Sequence, residues 1–281
     1  MFVRCNVSET PQDLPKASNA GARRPRILTI SNQKGGVGKT TTTVNLATAM
    51  AAVNKRVLVI DLDPQGNAST SLGIDQKHRA VNVYHVLLGD APLADAVVPT
   101  GIPNLSVVPS GVDLSGAELE LVDIEDRQAR LKKSLENQLD NWDFILIDCP
   151  PSLGLLTLNA LVAADAVMVP LQAEFLALEG VSQLVRTIER VRKSFNPGLE
   201  LQGIVLTMVD KRNNLSEMVE NDVREYFGPK VYATTIPRNV RISEAPSHGK
   251  PVLLYDFLSK GSKAYLDLAG EVLKREQGIA A

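Results

Sequence analysis

The chain has 281 residues, 44% of them hydrophobic and 22% charged, which fits one large α/β domain or two small ones. Aromatic residues make up 4% of the chain, which argues against stacking platforms for single-stranded nucleic acid. Because the formal net charge is −2, any contact with nucleic acid would have to come from a local basic patch.

The first 25 residues are rich in Pro, Ser, Asn, Ala and Arg and have no apolar periodicity. We therefore predict a flexible segment over 1–25 and a single folded domain over 26–281. Residues 1–16 lack the continuous apolar stretch of an export signal. The two cysteines, Cys5 and Cys149, have no metal-ligand spacing. These features predict a soluble cytoplasmic protein.

Short aliphatic runs alternate with longer amphipathic segments from residue 26 onward. Runs that are apolar on both faces are typical of central parallel strands covered by helices on either side. The alternation predicts an α/β fold: a doubly wound, mainly parallel sheet with helices on both faces. The runs predict strands at 27–31, 56–61, 105–109, 144–148, 166–170 and 201–207, and the segments predict helices at 40–53, 117–139, 155–163, 179–193, 214–227 and 259–275.

A glycine-rich loop follows the first predicted strand, with the sequence NQKGGVGKTTT over residues 32–42. Glycines allow backbone N–H groups to form an anion nest, to which a helix N-terminus adds partial positive charge. In such a loop Lys39 reaches the β- and γ-phosphates, and the Thr40 hydroxyl ligates Mg²⁺. The loop therefore predicts a P-loop NTPase fold whose nucleotide-binding residues are Lys34, Gly35, Gly36, Val37, Gly38, Lys39, Thr40 and Thr41.

Lys34 makes this loop unusual. The ordinary P-loop formula fails at its first glycine, where Gln33 stands, and a second lysine opens the loop instead. A lysine there is poorly placed for phosphates bound by its own helix, but it can project toward a nucleotide held by a second copy of the chain. It would then supply a cation in trans, as an arginine finger does. We predict that Lys34 and Lys39 are both catalytic.

Two predicted strands end in carboxylates. Asp61 and Asp63 end the second strand, and the strand period of two puts both on one face, at the carboxyl end where doubly wound folds bind ligands. One of them can orient the attacking water or lie in the outer shell of Mg²⁺, unless the pair only caps the next helix. The run FILID at 144–148 is a Walker B pattern that delivers Asp148 to magnesium through a water.

Three motifs together resemble the ParA/MinD group of deviant Walker ATPases: KGGVGKTTT at 34–42, DLDPQGN at 61–67 and IDCPPS at 147–152. The block IPRNVRISEAPSHGKP at 236–251 is especially similar to ParA proteins, and the resemblance spans residues 26–270. It implies an ATPase that uses Mg²⁺ and partitions chromosomes or plasmids in bacteria. It also implies an ATP-dependent homodimer, slow hydrolysis stimulated by a ParB-like centromere-binding protein, non-specific binding of double-stranded DNA, and a location on the nucleoid.

The resemblance also implies roles for individual residues. It assigns Asp63 to water activation, the residue pair Pro237 and Asn239 to the adenine side, and the arginines Arg212 and Arg241 to DNA binding.

Residues 230–250 contain two lysines and two arginines against the single acid Glu244. Such a stretch suits phosphate contacts without base reading. Basic residues scattered over a solvated face would give the same pattern, and the sequence leaves both interpretations open.

Three other classes of protein share the P-loop. A MinD-type membrane switch needs a basic amphipathic C-terminal helix with exposed bulky apolar residues, but residues 271–281 have mixed charges and few bulky apolar side chains. A nitrogenase-type iron–sulfur protein needs cluster cysteines, which Cys149 alone does not supply. A ParA-like ATPase that positions a cargo other than DNA stays open.

Overall fold

The computed structural model describes residues 24–136, 139–174, 177–210 and 212–278. The predicted flexible segment 1–25 lies outside the described residues, apart from Arg24 and Pro25. Its flexibility, like the division into a tail and one domain, stays a prediction.

A seven-stranded sheet in the order β3-β4-β2-β5-β1-β6-β7 forms the centre of the fold. Every strand pair is parallel except β3 with β4. The six predicted strands are all present, within two residues of their predicted ends, whereas the two-residue edge strand β3 was not predicted. The strands are β1 (Arg26–Ile30), β2 (Val57–Asp61), β3 (Val98–Pro99), β4 (Leu105–Val108), β5 (Phe144–Asp148), β6 (Ala166–Gln172) and β7 (Glu200–Thr207).

Helices cover both faces of this sheet, so the predicted doubly wound fold is confirmed. The helices are α1 (Lys39–Ala52), α2 (Asn67–Ser71), α3 (Val83–Leu88), α4 (Leu93–Ala96), α5 (Leu114–Glu120), α6 (Arg130–Leu135), α7 (Leu155–Ala163), α8 (Ala177–Ser194), α9 (Asn214–Phe227), α10 (Val240–Glu244), α11 (Val252–Tyr255) and α12 (Lys260–Glu276). Neighbouring residues of one strand face opposite layers: Leu28 packs with α1 and α12, whereas Ile27 packs with the layer that contains α7.

The single helix predicted over 117–139 is wrong. Two short helices, α5 and α6, stand there instead, with 3-10 turns at 121–123 and 127–129 between them. The helical conformation is interrupted at Asp126, whose φ of 54° is left-handed and cannot continue a helix. Asn159 of α7 then fixes the new start, because it accepts a hydrogen bond from the Leu131 N–H and donates one to the Arg127 carbonyl.

The carboxyl ends of β1, β2 and β5 lie side by side. Asp148, the last residue of β5, is in register with Ile30 on one side and with Asp61 on the other. The loop that follows β1 and the carboxylates that end β2 and β5 therefore meet at one edge of the sheet, where doubly wound folds bind their ligands.

Candidate nucleotide site

The loop between β1 and α1 has the backbone of an anion nest. Gly36 and Gly38 have φ values of 75° and 87°, in the left-handed region that favours glycine. No side chain caps the start of α1 at Gly38, so the N–H groups of its first turn can bind an anion. The Thr207 hydroxyl at the end of β7 donates a 2.8 Å hydrogen bond to the Val37 carbonyl and holds the loop from the far side.

Lys39 is a buried cation in this loop. Its side chain is 7% exposed, and its Nζ donates a 2.9 Å hydrogen bond to the Lys34 carbonyl. Burial lowers the pKa of Lys39, while Asp148, Cys149 and Asp63 oppose that shift. An ammonium group that faces carboxylates in a dry site can neutralise phosphate oxygens in the same place.

Asp148 is fully buried and only half satisfied. Its Oδ1 accepts a 3.0 Å hydrogen bond from the Thr43 hydroxyl, whereas Oδ2 is buried and has no hydrogen-bond partner among the described residues. Burial and the nearby Asp61 raise the pKa of Asp148 to about 8, and the hydroxyls of Thr40 and Thr43 oppose that rise. A divalent cation would offset the cost of this buried charge. Thr40 and Asp148 therefore fit a Mg²⁺ ion that is completed by water and phosphates.

Asp61 is engaged by three donors. Its Oδ2 accepts hydrogen bonds from the N–H and the hydroxyl of Ser69, at 2.8 and 2.7 Å, and its Oδ1 accepts one from the Asp63 N–H at 3.2 Å. The bond to the Ser69 N–H satisfies the first turn of α2, so Asp61 has the capping role that the sequence left open. Burial raises the pKa of this carboxyl to about 6, against the bonds from Ser69.

Asp63 is more available than Asp61. It is 7% exposed, and its Oδ1 accepts a 3.0 Å hydrogen bond from the Gln65 N–H, which leaves Oδ2 for another donor. Of the two carboxylates, Asp63 is therefore the one that can bind a water at this edge of the sheet.

Lys34 projects away from the nest. Its side chain is 46% exposed, and its Nζ lies 2.5 Å from Oε2 of Glu174, which follows β6. Sequence reasoning gave no sign of this pair, because 140 residues separate the two side chains.

Pro237 and Asn239 lie beyond the end of β7, on the same edge as the loop. The Val209 N–H donates to the Ile236 carbonyl at 3.0 Å, and Val209 is paired with Pro237. Asn239 caps α10, because its side-chain oxygen accepts a 2.8 Å hydrogen bond from the Arg241 N–H. Its amide nitrogen can still donate to an adenine acceptor.

Both predicted DNA-binding arginines are paired with acids. Arg212 is 89% exposed and forms a two-pronged ion pair with Asp210, at 2.9 and 2.8 Å, which lowers the pKa of Asp210 to about 2. Arg241 lies 3.0 Å from Glu244 and 3.2 Å from Asp256.

The basic residues of 230–250 do not form one patch. Lys230 donates to the Leu201 carbonyl at the start of β7, whereas the Arg238 N–H donates to the Val209 carbonyl beyond the end of β7. The length of a strand separates these two residues, so basic residues that are close in the sequence do not all share one surface.

The C-terminal helix α12 uses its apolar side chains within the core. Tyr265, Leu268 and Val272 are fully buried in the layer that also contains α1. None of the helices in the described ranges is long and apolar enough to cross a membrane.

The sequence reasoning missed Thr43 and Thr207, two hydroxyls that hold parts of the site. A run of four threonines at the start of a helix was the available signal for Thr43. For Thr207 the signal was a polar residue at the carboxyl end of an apolar strand, the same feature that singled out Asp61.

Known proteins resemble this chain both in sequence and in fold. A family described as an AAA domain matches residues 25–201. The chromosome partitioning protein ParA of Caulobacter vibrioides is 61% identical over 254 residues, which cover 90% of this chain and 95% of that protein. The sporulation initiation inhibitor protein Soj of Bacillus subtilis is 54% identical over 247 residues, 88% of this chain and 98% of that protein.

Solved structures agree with the fold. A structure titled cobyrinic acid a,c-diamide synthase from Mycobacterium smegmatis, with bound ADP and magnesium, has a TM-score of 0.80 and 40% sequence identity, and the match covers 91% of this chain and 97% of that one. The same protein is also solved with an ATP analogue and magnesium.

Proposed function

The chain belongs to the ParA/Soj family of chromosome partitioning ATPases, and from this membership we propose that it hydrolyses ATP with Mg²⁺ to segregate copies of a chromosome or plasmid. The observation that carries the proposal is the buried Oδ2 of Asp148, which has no partner among the described residues and lies with Lys39 and Thr40 at the glycine-rich loop. ATP and Mg²⁺ are the cofactors, and the ATPase domain extends over residues 26–281.

Each residue of the site has one task in hydrolysis. The loop N–H groups and Lys39 bind the phosphates, and Thr40 and Asp148 hold magnesium. Bound magnesium supplies positive charge to the oxygens of the γ-phosphate. Asp63 orients a water whose oxygen attacks the γ-phosphorus while the bond to the bridging oxygen of ADP breaks, so the products are ADP and phosphate.

Lys34 makes hydrolysis depend on a second copy of the chain. Its ammonium lies outside the nest, in an exposed ion pair with Glu174. Exposed pairs of this kind are worth about 0–1 kcal/mol, so a partner's phosphates can displace the carboxylate easily. In a homodimer closed by two ATP molecules, each Lys34 would then neutralise the other subunit's nucleotide.

The adenine is held on the side of Pro237 and Asn239. The Asn239 amide and the backbone around Pro237 can pair with the donor and acceptor edge of the base. The link from Thr207 to the glycine-rich loop keeps this segment and the phosphate-binding segment at one edge of the sheet.

The dimer is proposed to bind double-stranded DNA without sequence preference, with Arg212 and Arg241 as contacts to the DNA phosphates. Both arginines would have to exchange carboxylate partners for phosphates. Three lysines in the segment 250–263 need no such exchange, because among the described residues none of them forms an ion pair: Lys250, Lys260 and Lys263.

A ParB-like centromere-binding protein is the proposed partner that raises a slow basal rate of hydrolysis. ATP must favour the dimer and ADP must not, because a ligand shifts an equilibrium only through its different affinity for the two states. The proposal puts the protein in the bacterial cytoplasm, on the nucleoid, without a membrane partner.

The experiment combines sedimentation velocity with DNA pelleting, each in Mg-ADP and Mg-ATP. We expect dimers and DNA pelleting only in Mg-ATP and not in Mg-ADP. We also expect the hydrolysis rate per molecule to rise with protein concentration. Lys34→Ala should bind ATP but neither dimerise nor hydrolyse it. Lys77→Ala is the matched control, since Lys77 is also an exposed lysine beside an acid.

Two results would contradict parts of this proposal. A Lys34→Ala protein that dimerises and turns over normally would remove the role of the lysine in trans. A wild-type dimer that never pellets with DNA would favour an ATPase that positions another cargo.

A further inference from the structure

Thr43 lies at the start of the second turn of α1, three residues after Thr40. Residues at this spacing share one face of a helix, so both hydroxyls point to the side where β5 ends. Thr43 is completely buried. Its hydroxyl oxygen lies 3.0 Å from Oδ1 of Asp148 and 3.0 Å from the Lys39 carbonyl.

A hydroxyl has one hydrogen, so only one of these acceptors receives it at a time. The Lys39 carbonyl already accepts the Thr43 N–H in the regular pattern of an α-helix. With magnesium bound Asp148 is ionised, and it is then also the stronger acceptor, because hydrogen bonds to a charged oxygen are about twice as strong as neutral ones. The hydroxyl hydrogen of Thr43 therefore belongs to Asp148.

This bond decides how the carboxylate can turn. With Oδ1 held by Thr43, Oδ2 is presented at one fixed position, where it has no partner among the described residues. We propose that Thr43 is a positioning residue for magnesium, which acts by holding the Asp148 carboxylate. The proposal rests on the assignment of Thr40 and Asp148 to the metal in the proposed function.

Thr48 provides the comparison that separates this role from ordinary packing. It is buried in the same helix, 2% exposed, and its hydroxyl donates to the Val44 carbonyl at 2.8 Å. Thr48→Val and Thr43→Val therefore each remove one buried threonine hydroxyl from the same helix, but only Thr43→Val removes a hydrogen bond to Asp148.

The test measures metal binding directly, on the full chain. Mn²⁺ replaces Mg²⁺, and the free Mn²⁺ signal in electron paramagnetic resonance gives its affinity for the complex with ADP. Residues that orient metal ligands typically change metal affinity about 10–100-fold, so we expect Thr43→Val to weaken Mn²⁺ binding at least about tenfold. Thr43→Ser keeps the hydroxyl and should stay within about threefold of wild type, as should Thr48→Val.

Two further measurements keep the test decisive. The affinity for ADP in the presence of EDTA should be the same in all variants, since Thr43 acts only through the metal residue. In an Asp148→Asn background, adding Thr43→Val should cause no further loss of Mn²⁺ affinity. If Thr43→Val does not fold, as judged by circular dichroism, Thr43→Ala takes its place in both backgrounds.

The outcomes are distinguishable. Wild-type Mn²⁺ affinity in a folded Thr43→Val protein would overturn the proposal, and so would an additional loss in the Asp148→Asn background. Failure of the wild-type complex with ADP to bind Mn²⁺ would instead overturn the assignment of Asp148 and Thr40 in the proposed function.

Discussion

The carboxylates Asp61 and Asp63 are two residues apart, yet their surroundings predict that replacement by alanine affects stability at one position and hydrolysis at the other. Asp61 is fully buried and is bonded to three donors, whereas Asp63 is bonded to the Gln65 N–H, at the exposed residue Gln65. We expect Asp61→Ala to destabilise the fold. Asp63→Ala should leave the stability nearly unchanged but stop hydrolysis.

The expected magnitude follows from the donors that lose their partner. Asp61→Ala leaves the N–H groups of Asp63 and Ser69 buried and unpaired, and each such group costs about 1–3 kcal/mol. The two costs together are about 2–6 kcal/mol. The net loss is smaller, because the variant no longer has to bury the Asp61 carboxyl, whose pKa is raised by burial to about 6. A net loss of about 2–4 kcal/mol would lower the melting temperature by roughly 5–15 °C. For Asp63→Ala we expect a loss of about 1 kcal/mol or less, because water can reach the Gln65 N–H.

Urea unfolding without nucleotide measures the first effect, and phosphate release with Mg-ATP measures the second. Asp75→Ala is the control for loss of a carboxylate, since Asp75 is exposed and its only recorded ion pair in the described structure is a 3.6 Å contact with Lys77. An unchanged urea midpoint for Asp61→Ala would refute the capping role. Normal turnover by Asp63→Ala would refute the assignment of the water to Asp63.

Three further predictions test other parts of the site. Lys39→Ala should abolish binding of a fluorescent ATP analogue, because the phosphates lose their buried cation, and micromolar affinity in the variant would contradict this. Arg212→Ala should raise the pKa of Asp210 from about 2 toward its ordinary value, because the hydrogen bonds and the charge of the arginine both favour the ionised carboxylate. Carboxyl-carbon NMR measures this pKa. An Asp210 pKa that does not change in the variant would show that the pair is not formed in solution. Arg241→Glu should weaken DNA binding equally at all sequences and lower the slope of log binding constant against log salt concentration by about one or more. Lys230→Glu, at the opposite end of β7, should do neither. Equal losses in both variants would contradict a local contact.

Elements with a long periodic pattern could be predicted from the sequence. The helix predicted at 155–163 has the same ends in the structure, and the six apolar strands lie where the aliphatic runs stand. The helices α10 and α11 were not predicted, because four or five residues do not complete enough turns to give a period. The segment 117–139 failed for another reason: its apolar spacing is helical, but the contacts of Asn159 and the left-handed Asp126 divide it.

The glycine-rich loop could be predicted because its chemistry is local. Residues 34–41 are contiguous, and their positions follow from the strand before them and the helix after them. The state of each charged side chain could not be predicted, because its partner is distant in the sequence or depends on how the chain turns. Glu174 beside Lys34 and Asp256 beside Arg241 are such partners. For the same reason the sequence could not distinguish the capping Asp61 from the available Asp63.

The end of β7 connects the two distant segments that are proposed to bind one nucleotide. Thr207 is bonded to the glycine-rich loop through the Val37 carbonyl, and two residues later Val209 is bonded to Ile236, next to Pro237. Met208 between them has a φ of 54°, a left-handed conformation that is costly for a residue with a side chain and persists only when its neighbours are held. Both neighbours are held here, one by the loop and the other by the segment before Asn239. The glycine-rich loop and the proposed adenine segment are therefore linked through the backbone around Met208, because each is hydrogen-bonded to one of its two neighbours.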